Sequence, residues 1–98
     1  MLPPMLLLQI QSICKKYPEI KKLIVFGSFA RGDESRASDL DLCVEGLIDR
    51  NRFLEFQNDL TSRLLTLRKI DLLLLEDLPP KLLAPILQEG KTIYEAIG

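Results

Sequence analysis

The sequence predicts an α/β (α+β) fold, with a mixed sheet of about four strands flanked by helices. Segments with apolar residues three or four apart alternate with short apolar or alternating runs, in the order αβαβαβαβ. The 98 residues suffice for one small hydrophobic core, so we expect a single domain over residues 1–98.

The first half of the chain predicts a helix, a strand and a short helix. Two prolines near the start suit a first helical turn, and apolar spacing continues the helix over roughly residues 4–16. Pro18 ends it, because a residue before proline is pushed out of the α region. Residues 22–26 are a short apolar run ending at Gly27, which is typical of a buried strand. We expect a glycine-containing turn and a short helix after it.

Residues 38–45 alternate between polar and apolar side chains, which predicts a second strand with one polar end. One face would carry Asp39, Asp41 and Cys43, and the other Leu40, Leu42 and Val44.

The second half repeats the pattern of helix and strand. Asp49 suits the N-cap of a helix, and residues 69–76 read as a strand. Two further prolines, at 79 and 80, open a short helix that Gly90 closes, and residues 91–95 read as a final strand. The helix after Asp49 is expected to bury an apolar stripe formed by Phe53, Phe56, Leu60, Leu64 and Leu67.

Composition excludes several classes of function. The chain has no histidine, which excludes Ser-His-Asp and Cys-His hydrolases and most catalytic zinc sites. Cys14 and Cys43 form neither a disulfide framework nor a metal-binding pair, so we expect two buried thiols. A net charge of −1 does not provide the basic surface of a nucleic-acid binder.

Neither a membrane span nor an export signal is expected. No stretch approaches the ~18–20 uninterrupted apolar residues of a transmembrane helix. The first ten residues lack a basic leader and a small-residue cleavage site, so we expect a cytoplasmic protein.

Three aspartates are the strongest chemical signal. Asp39 and Asp41 lie two apart on a predicted strand, so they share one face with Cα atoms ~6.5–7 Å apart. Asp71 lies within an aliphatic run, where an unpaired carboxylate would be costly to bury. If the two strands are neighbours, the three carboxylates meet and require cations, and oxygen ligands on strands suit Mg²⁺. Two ions ~3.5–4 Å apart could support a phosphoryl-type transfer, which makes these residues candidate catalytic and metal-binding groups.

Gly27 and Ser28 provide a candidate phosphate site. Glycine lets the backbone approach a phosphate, while the serine hydroxyl and exposed N–H groups can donate hydrogen bonds to it. With the β- and γ-phosphates held there, the α-phosphate would lie over the metals, and pyrophosphate could leave during in-line attack. No covalent enzyme intermediate is then needed.

These residues resemble a known family. Gly27-Ser28, ten intervening residues and Asp39-Leu40-Asp41 are similar to the Gly-Ser-x10-Asp-x-Asp signature of the DNA polymerase beta-like nucleotidyltransferase superfamily. The string Gly27-Ser28-Phe29-Ala30-Arg31-Gly32, with Ser38-Asp39-Leu40-Asp41-Leu42, resembles its minimal nucleotidyltransferase (MNT) branch. Asp71 lies where that family keeps its third carboxylate, and residues 87–95 resemble the branch's C-terminal strand.

The resemblance implies a palm-like nucleotidyltransferase domain that uses Mg²⁺, with two ions, and a nucleoside triphosphate, commonly ATP. It also implies a partner, because minimal members typically accompany a small all-helical HEPN-domain protein. In toxin–antitoxin pairs of this kind the HEPN protein is an RNase toxin, and the MNT antitoxin silences it by transferring AMP to a tyrosine.

The residues also allow plainer interpretations. Asp39 and Asp41 could be solvated or helix-capping groups, and Asp71 could be an edge-strand residue that discourages aggregation. Ser28 could simply be the N-cap of the short helix. Arg31, a candidate nucleotide-binding residue, could instead pair with a carboxylate, and arginine suits both roles equally.

Two other functions remain open on the sequence. The protein could be an antitoxin that acts by direct binding, with a vestigial nucleotide site, or a subunit of a small-molecule (aminoglycoside-like) nucleotidyltransferase. Leu54 and Leu65 lie off the predicted core stripe, so the first helix or the helix after Asp49 could dock a partner in a homo- or hetero-oligomer.

Overall fold

The computed structural model of the chain describes residues 2–97. The helices in that range are α1 (Pro4–Cys14), α2 (Ser28–Arg31), α3 (Arg50–Arg63) and α4 (Pro80–Glu89), with one 3-10 turn at Leu75–Asp77. The strands are β1 (Lys22–Phe26), β2 (Leu40–Glu45), β3 (Ile70–Leu74) and β4 (Lys91–Glu95).

The strands form one mixed four-stranded sheet in the order β3-β2-β1-β4. β1 pairs antiparallel with both β2 and β4, whereas β2 pairs parallel with β3. The parallel pair needs a crossover connection, which α3 supplies. The predicted fold class, a mixed sheet of about four strands flanked by helices, is confirmed.

The two faces of the sheet bury different amounts of apolar surface. The main core lies where α1 and α3 cover one face, and it includes Ile10, Phe56 and Leu60, which are fully buried. A smaller cluster on the other face joins Ile24 and Cys43 to Ile86 of α4. The predicted alternation along β2 is confirmed, because Leu40, Leu42 and Val44 enter the main core while Cys43 faces α4.

Both cysteines are free and buried, as the sequence predicts. Burial raises the pKa of Cys14 to about 12 and that of Cys43 to about 11, so both are protonated, unreactive thiols at neutral pH. No helix within residues 2–97 is long and apolar enough to cross a bilayer.

The structure corrects the predicted end of the helix after Asp49. The Asp49 side chain does cap α3, accepting a hydrogen bond from the Arg52 backbone N–H at 3.1 Å. The helix ends at Arg63, however, because Leu64 adopts an extended backbone. Leu64 stays in the core, whereas Leu67 lies in the following loop and is fully exposed. The prediction that Leu67 belongs to the buried stripe is therefore wrong.

A group of polar side chains joins α3 to the segment after α1. Tyr17 is buried, its ring packs edge-on against Phe56 at 5.2 Å, and its hydroxyl donates a hydrogen bond to Asp59. The Arg52 guanidinium stacks 4.6 Å from the centre of the Tyr17 ring and donates a hydrogen bond to Glu19 at 2.9 Å. This arrangement fixes the start of α3 against the sheet.

The Glu19–Arg52 pair makes stability depend on acid pH. The hydrogen bonds from Arg52 lower the pKa of Glu19 from 4.5 to about 2, so the pair stabilises the fold above pH 4.5 and this contribution is lost as the pH falls toward 2. Because Glu19 is partly exposed, we expect the loss to be at most about 1 kcal/mol. Thermal unfolding between pH 6 and pH 2 should show a shallower decline of Tm in Glu19→Gln than in the wild type.

Glu55→Gln is the matched control for that titration, since Glu55 also contacts Arg52, at 3.2 Å, but is more exposed. Glu55→Gln should show the same decline of Tm with falling pH as the wild type, because the Glu19–Arg52 pair remains. An unchanged slope in Glu19→Gln would contradict the assignment.

Candidate active site

The turn between β1 and α2 is built on a glycine. Gly27 has φ 71° and ψ −147°, a region that side chains rarely adopt. Its carbonyl accepts hydrogen bonds from the backbone N–H groups of Ala30 and Arg31, both at 3.1 Å, which starts α2. Gly27 is the N-cap residue, and no side chain caps this helix. The interpretation of Ser28 as an N-cap serine is therefore wrong, and its hydroxyl is not used for capping.

Gly27 and Asp41 are in close approach. Asp41 lies on β2 directly opposite Phe26, the last residue of β1. A Cβ atom at position 27 would overlap Asp41 Oδ2, so any other residue there would displace that carboxylate from its present position. The two ends of the sequence motif thus meet in space.

Asp41 and Asp71 lie side by side. The parallel register of β2 and β3 pairs Asp41 with Asp71, on strands whose usual separation is ~4.8 Å. The pKa of the Asp41 carboxyl is raised, first by burial and then by the negative charges of Asp71 and Asp39, while the positive charge of Arg31 opposes the rise. Asp71 and Asp39 therefore both lie within electrostatic range of Asp41.

Asp39 lies just before the strand. The sequence predicts a strand from residue 38, but β2 begins at Leu40, and Asp39 belongs to the loop that leads into it. The side chain of Leu40 enters the main core, so Asp39 and Asp41 flank a residue that faces away from α4. Asp39 is half-buried, as is Asp41.

The oxygen donors of Asp39, Asp41 and Asp71 suit a divalent cation, but the three side chains do not converge on one point. Within residues 2–97, no three acidic or thiol side chains stand close enough together to ligate a single metal ion as they are. Hard oxygen donors with mutual repulsion nevertheless match the ligands that Mg²⁺ takes together with phosphate oxygens. The donor set therefore fits Mg²⁺.

Asp71 is more exposed than the sequence predicts. Its side chain is 42% exposed, and Lys69 Nζ lies 3.7 Å from Asp71 Oδ1. The expectation of burial is wrong because β3 is an edge strand of the sheet, so one side of the aliphatic run faces solvent, and the alternative position of Asp71 on an edge strand is confirmed. Asp71 does lie beside Asp41. The sequence predicts this position only if the two strands are neighbours, and in the structure they are.

Arg31 pairs with carboxylates in this structure. Its Nε lies 3.2 Å from Asp33 Oδ2 and its Nη1 lies 3.2 Å from Glu89 Oε1, so the end of α2 is joined to the end of α4. Of the two roles considered for Arg31, the carboxylate pairing is observed, and contact with a phosphate stays a prediction.

Arg68 is a residue near the site that the sequence analysis missed. Its guanidinium reaches the loop that carries Asp39 and donates a hydrogen bond to the Ser38 carbonyl at 2.8 Å. Only the pairing of β2 with β3 brings the two segments together, so no local pattern in the sequence indicates this contact.

Comparison with known proteins identifies the family. The family described as "Polymerase beta, Nucleotidyltransferase" matches residues 8–96. The chain belongs to this nucleotidyltransferase family. The resemblance predicted from the Gly27-Ser28 and Asp39-Leu40-Asp41 motif is thereby confirmed.

Two relatives of this nucleotidyltransferase come from Methanocaldococcus jannaschii. The "Putative protein adenylyltransferase MJ1547" is 31% identical over 72 residues, which are 74% of this chain and 53% of the relative. The "Putative protein adenylyltransferase MJ0604" is 44% identical over 46 residues, covering 47% of this chain and 42% of the relative. The chain thus spans about half the length of the curated relatives it matches.

Two solved structures of similar fold are toxin–antitoxin complexes. A crystal structure of a toxin–antitoxin with AMP-PNP has a TM-score of 0.76 at 22% identity, covering 92% of this chain and 73% of that one. A Shewanella oneidensis complex of a tri-AMPylated HEPN toxin with an MNT antitoxin has a TM-score of 0.64 at 21% identity, covering 93% and 73%. At this identity the likeness shows that the nucleotidyltransferase fold is shared.

The charges around Asp41 predict two opposite pKa changes. Asp71→Asn removes a negative charge and should lower the pKa of Asp41, whereas Arg31→Gln removes a positive charge and should raise it. The carboxyl ¹³C chemical shift of Asp41, followed by NMR during a pH titration, measures both. Changes in the same direction in the two variants would contradict this account.

The contact between Gly27 and Asp41 predicts a second result. Gly27→Ala should lower the free energy of unfolding by about 1–3 kcal/mol, because alanine is strained in this backbone conformation. Displacement of the Asp41 carboxylate should lower it further. Gly32→Ala is a reference for a positive φ alone, because Gly32 has φ 82° and ψ 16°, in the left-handed helical region, and a Cβ there would meet nothing within 4 Å. Urea unfolding should show the larger loss for Gly27→Ala, and a smaller loss in an Asp41→Ala background, where the contact is absent. Equal losses in both backgrounds would refute the contact.

Proposed function

We propose that this chain is a Mg²⁺-dependent protein adenylyltransferase that transfers AMP from ATP to a tyrosine hydroxyl of a small HEPN-domain RNase toxin and so acts as its antitoxin. The observation that carries the proposal is the position of Asp41. Its carboxylate lies against Gly27 of the β1–α2 turn, and the residue pairs with Asp71 of the neighbouring strand. Family membership supports nucleotidyl transfer, and the names of the relatives support a protein as the acceptor.

The carboxylates would hold the metal and its nucleotide. Asp39, Asp41 and Asp71 would ligate Mg²⁺, with two ions expected, and the bound ions would neutralise the phosphate oxygens and favour ionisation of the attacking hydroxyl. Gly27 and Ser28 would bind the β- and γ-phosphates through backbone N–H groups and the serine hydroxyl. Burial and then the neighbouring negative charges raise the pKa of Asp41, and a bound cation would favour the ionised carboxylate against both effects.

The transfer itself would be a single displacement. The tyrosine oxygen forms a bond to the α-phosphorus of ATP, the bond from that phosphorus to the bridging oxygen of the β-phosphate breaks, and pyrophosphate leaves with the electron pair. The proton of the tyrosine hydroxyl passes to a carboxylate, for which Asp71 is suited. Its partly exposed side chain can release the proton to solvent afterwards.

Exposed apolar side chains provide a surface for the acceptor protein. Met5 and Leu8 on α1 are 71% and 60% exposed, and Leu65 and Leu67 in the loop after α3 are 86% and 108% exposed. Large apolar side chains that remain in water favour a protein partner. The same surface also favours the second candidate function, an antitoxin that inhibits by direct binding alone.

The adenylyltransferase assignment predicts labelling of the partner. Wild-type protein, ATP labelled at the α-phosphate, Mg²⁺ and the HEPN partner should give labelled partner, detected on a gel. Asp39→Asn and Asp41→Asn should each slow labelling at least about 100-fold, because each removes a charged metal ligand. Asp77→Asn, which alters an exposed aspartate in the 3-10 turn, should label at the wild-type rate.

The outcomes separate the two candidate functions. Unlabelled partner with wild-type protein, or full labelling by Asp39→Asn and Asp41→Asn, would contradict the adenylyltransferase. Full neutralisation of the toxin's RNase activity by the inactive variants would support direct binding.

A further inference from the structure

The loop that carries Asp39 has little regular structure of its own. Residues 32–39, between α2 and β2, contain turns but no helix or strand, and most of their side chains are exposed. Two short contacts close a tight turn, from Ser35 N–H to Ser38 Oγ at 2.8 Å and from Ser38 N–H to the Ser35 carbonyl at 3.2 Å. A turn of this size, open to water, cannot by itself fix the backbone before Asp39.

Arg68 holds this loop from outside. Its Nη1 donates hydrogen bonds to the Ser35 carbonyl at 2.6 Å and to the Ser38 carbonyl at 2.8 Å, with the Arg36 carbonyl at 3.5 Å. The Ser38 carbonyl belongs to the peptide group that joins Ser38 to Asp39. One cationic side chain therefore fixes both ends of the turn and the peptide unit directly before Asp39.

Arg68 is itself well anchored. Its guanidinium stacks 4.8 Å from the centre of the ring of Phe29, which is buried in α2. Its backbone N–H donates to Thr66 Oγ1 at 3.1 Å, and the next carbonyl, of Lys69, accepts from the Leu40 N–H at 2.9 Å. The residue thus joins three parts of the site: α2 after the phosphate-binding turn, the loop before Asp39, and the start of β3, which carries Asp71.

The chemistry of this contact suits arginine. A planar guanidinium can stack on an aromatic ring while its N–H groups donate in the plane, whereas a lysine ammonium can reach the carbonyls but cannot stack in this way. The arrangement at Arg68 requires both stacking and hydrogen bonding, since the guanidinium lies against the ring of Phe29 and also donates hydrogen bonds to the loop carbonyls.

We propose that Arg68 is a positioning residue of the nucleotidyl transfer site, which orders residues 33–39 so that the Asp39 carboxylate is presented beside Asp41. This inference rests on the proposed function for its consequence in catalysis. Its structural part, that Arg68 orders the loop and prepares Asp39 for a divalent cation, stands on the contacts above.

Arg52 offers a matched control. It also stacks on an aromatic ring, that of Tyr17 at 4.6 Å, and also donates hydrogen bonds to a neighbouring segment, through Glu19. Glu19 and Arg52 lie at the opposite end of β2 from Asp39, where Lys21 pairs with Glu45. Loss of Arg52 should destabilise the fold without disturbing the loop at residues 32–39.

The test compares Arg68→Ala and Arg68→Lys with Arg52→Ala. Hydrogen exchange followed by mass spectrometry should show faster exchange over residues 33–40 in Arg68→Ala and unchanged exchange there in Arg52→Ala. The affinity for Mn²⁺ in the presence of AMP-PNP, measured by electron paramagnetic resonance, should fall about 10–100-fold in Arg68→Ala, as for other residues that orient a metal ligand. Arg68→Lys should recover part of both losses, because its ammonium can still donate to the carbonyls.

In the labelling reaction, KM for the metal–ATP complex should rise in Arg68→Ala together with its loss of Mn²⁺ affinity, because both constants describe formation of the same metal–nucleotide complex on the protein. Wild-type exchange over residues 33–40 together with wild-type Mn²⁺ affinity in Arg68→Ala would overturn the proposal, as would equal losses in Arg52→Ala. If Arg68→Ala fails to fold, Arg68→Lys with wild-type exchange and affinity would overturn it.

These outcomes are distinct from failure of the proposed function. A wild-type protein that binds Mn²⁺ with AMP-PNP but labels no partner would contradict the protein adenylyltransferase alone, since exchange and metal binding need no acceptor. A wild-type protein that binds no Mn²⁺ would overturn the role assigned to Arg68 at the metal site.

Discussion

β2 pairs with β1 along one edge and with β3 along the other, and these two pairings place the carboxylates of the site. Its antiparallel register with β1 places Asp41 opposite Phe26 and against Gly27, and its parallel register with β3 places Asp41 beside Asp71. A shift of one residue in β2 would turn every side chain to the other face. The burial of Leu40, Leu42 and Val44 in the main core opposes that shift, so the packing of the core also determines where the carboxylates lie.

The site consequently combines a residue of the sheet, Asp41, with a residue of an irregular loop, Asp39. Asp41 lies within the sheet, flanked by a glycine that cannot be replaced without moving its carboxylate. Asp39 lies in a loop, and the carbonyl of the preceding residue, Ser38, accepts a hydrogen bond from Arg68. Asp39 and Asp71 both lie within electrostatic range of Asp41, but within residues 2–97 the three carboxylates do not converge on one point.

Much of the fold could be predicted because its signals are local. The bounds of β1 and β4 agree with the sequence prediction, and the spacing of Gly27-Ser28 from Asp39-Leu40-Asp41 identified the family. The sequence allowed Asp71 either a buried or an edge-strand position and could not decide between them, because strand order depends on pairing across the whole sheet. The contact of Arg68 with the Ser38 carbonyl was missed for the same reason.

We propose that Asp39, Asp41 and Asp71 form one metal site, which faces the turn at Gly27 and Ser28 where the phosphates would bind. A crystal structure of the protein with Mg²⁺ and a non-hydrolysable ATP analogue tests it most directly. We expect Mg²⁺ ligated by the three aspartates and by phosphate oxygens, with the β- and γ-phosphates against Gly27 and Ser28. A nucleotide bound elsewhere, or one bound at the turn with no ion on Asp39 or Asp41, would contradict it.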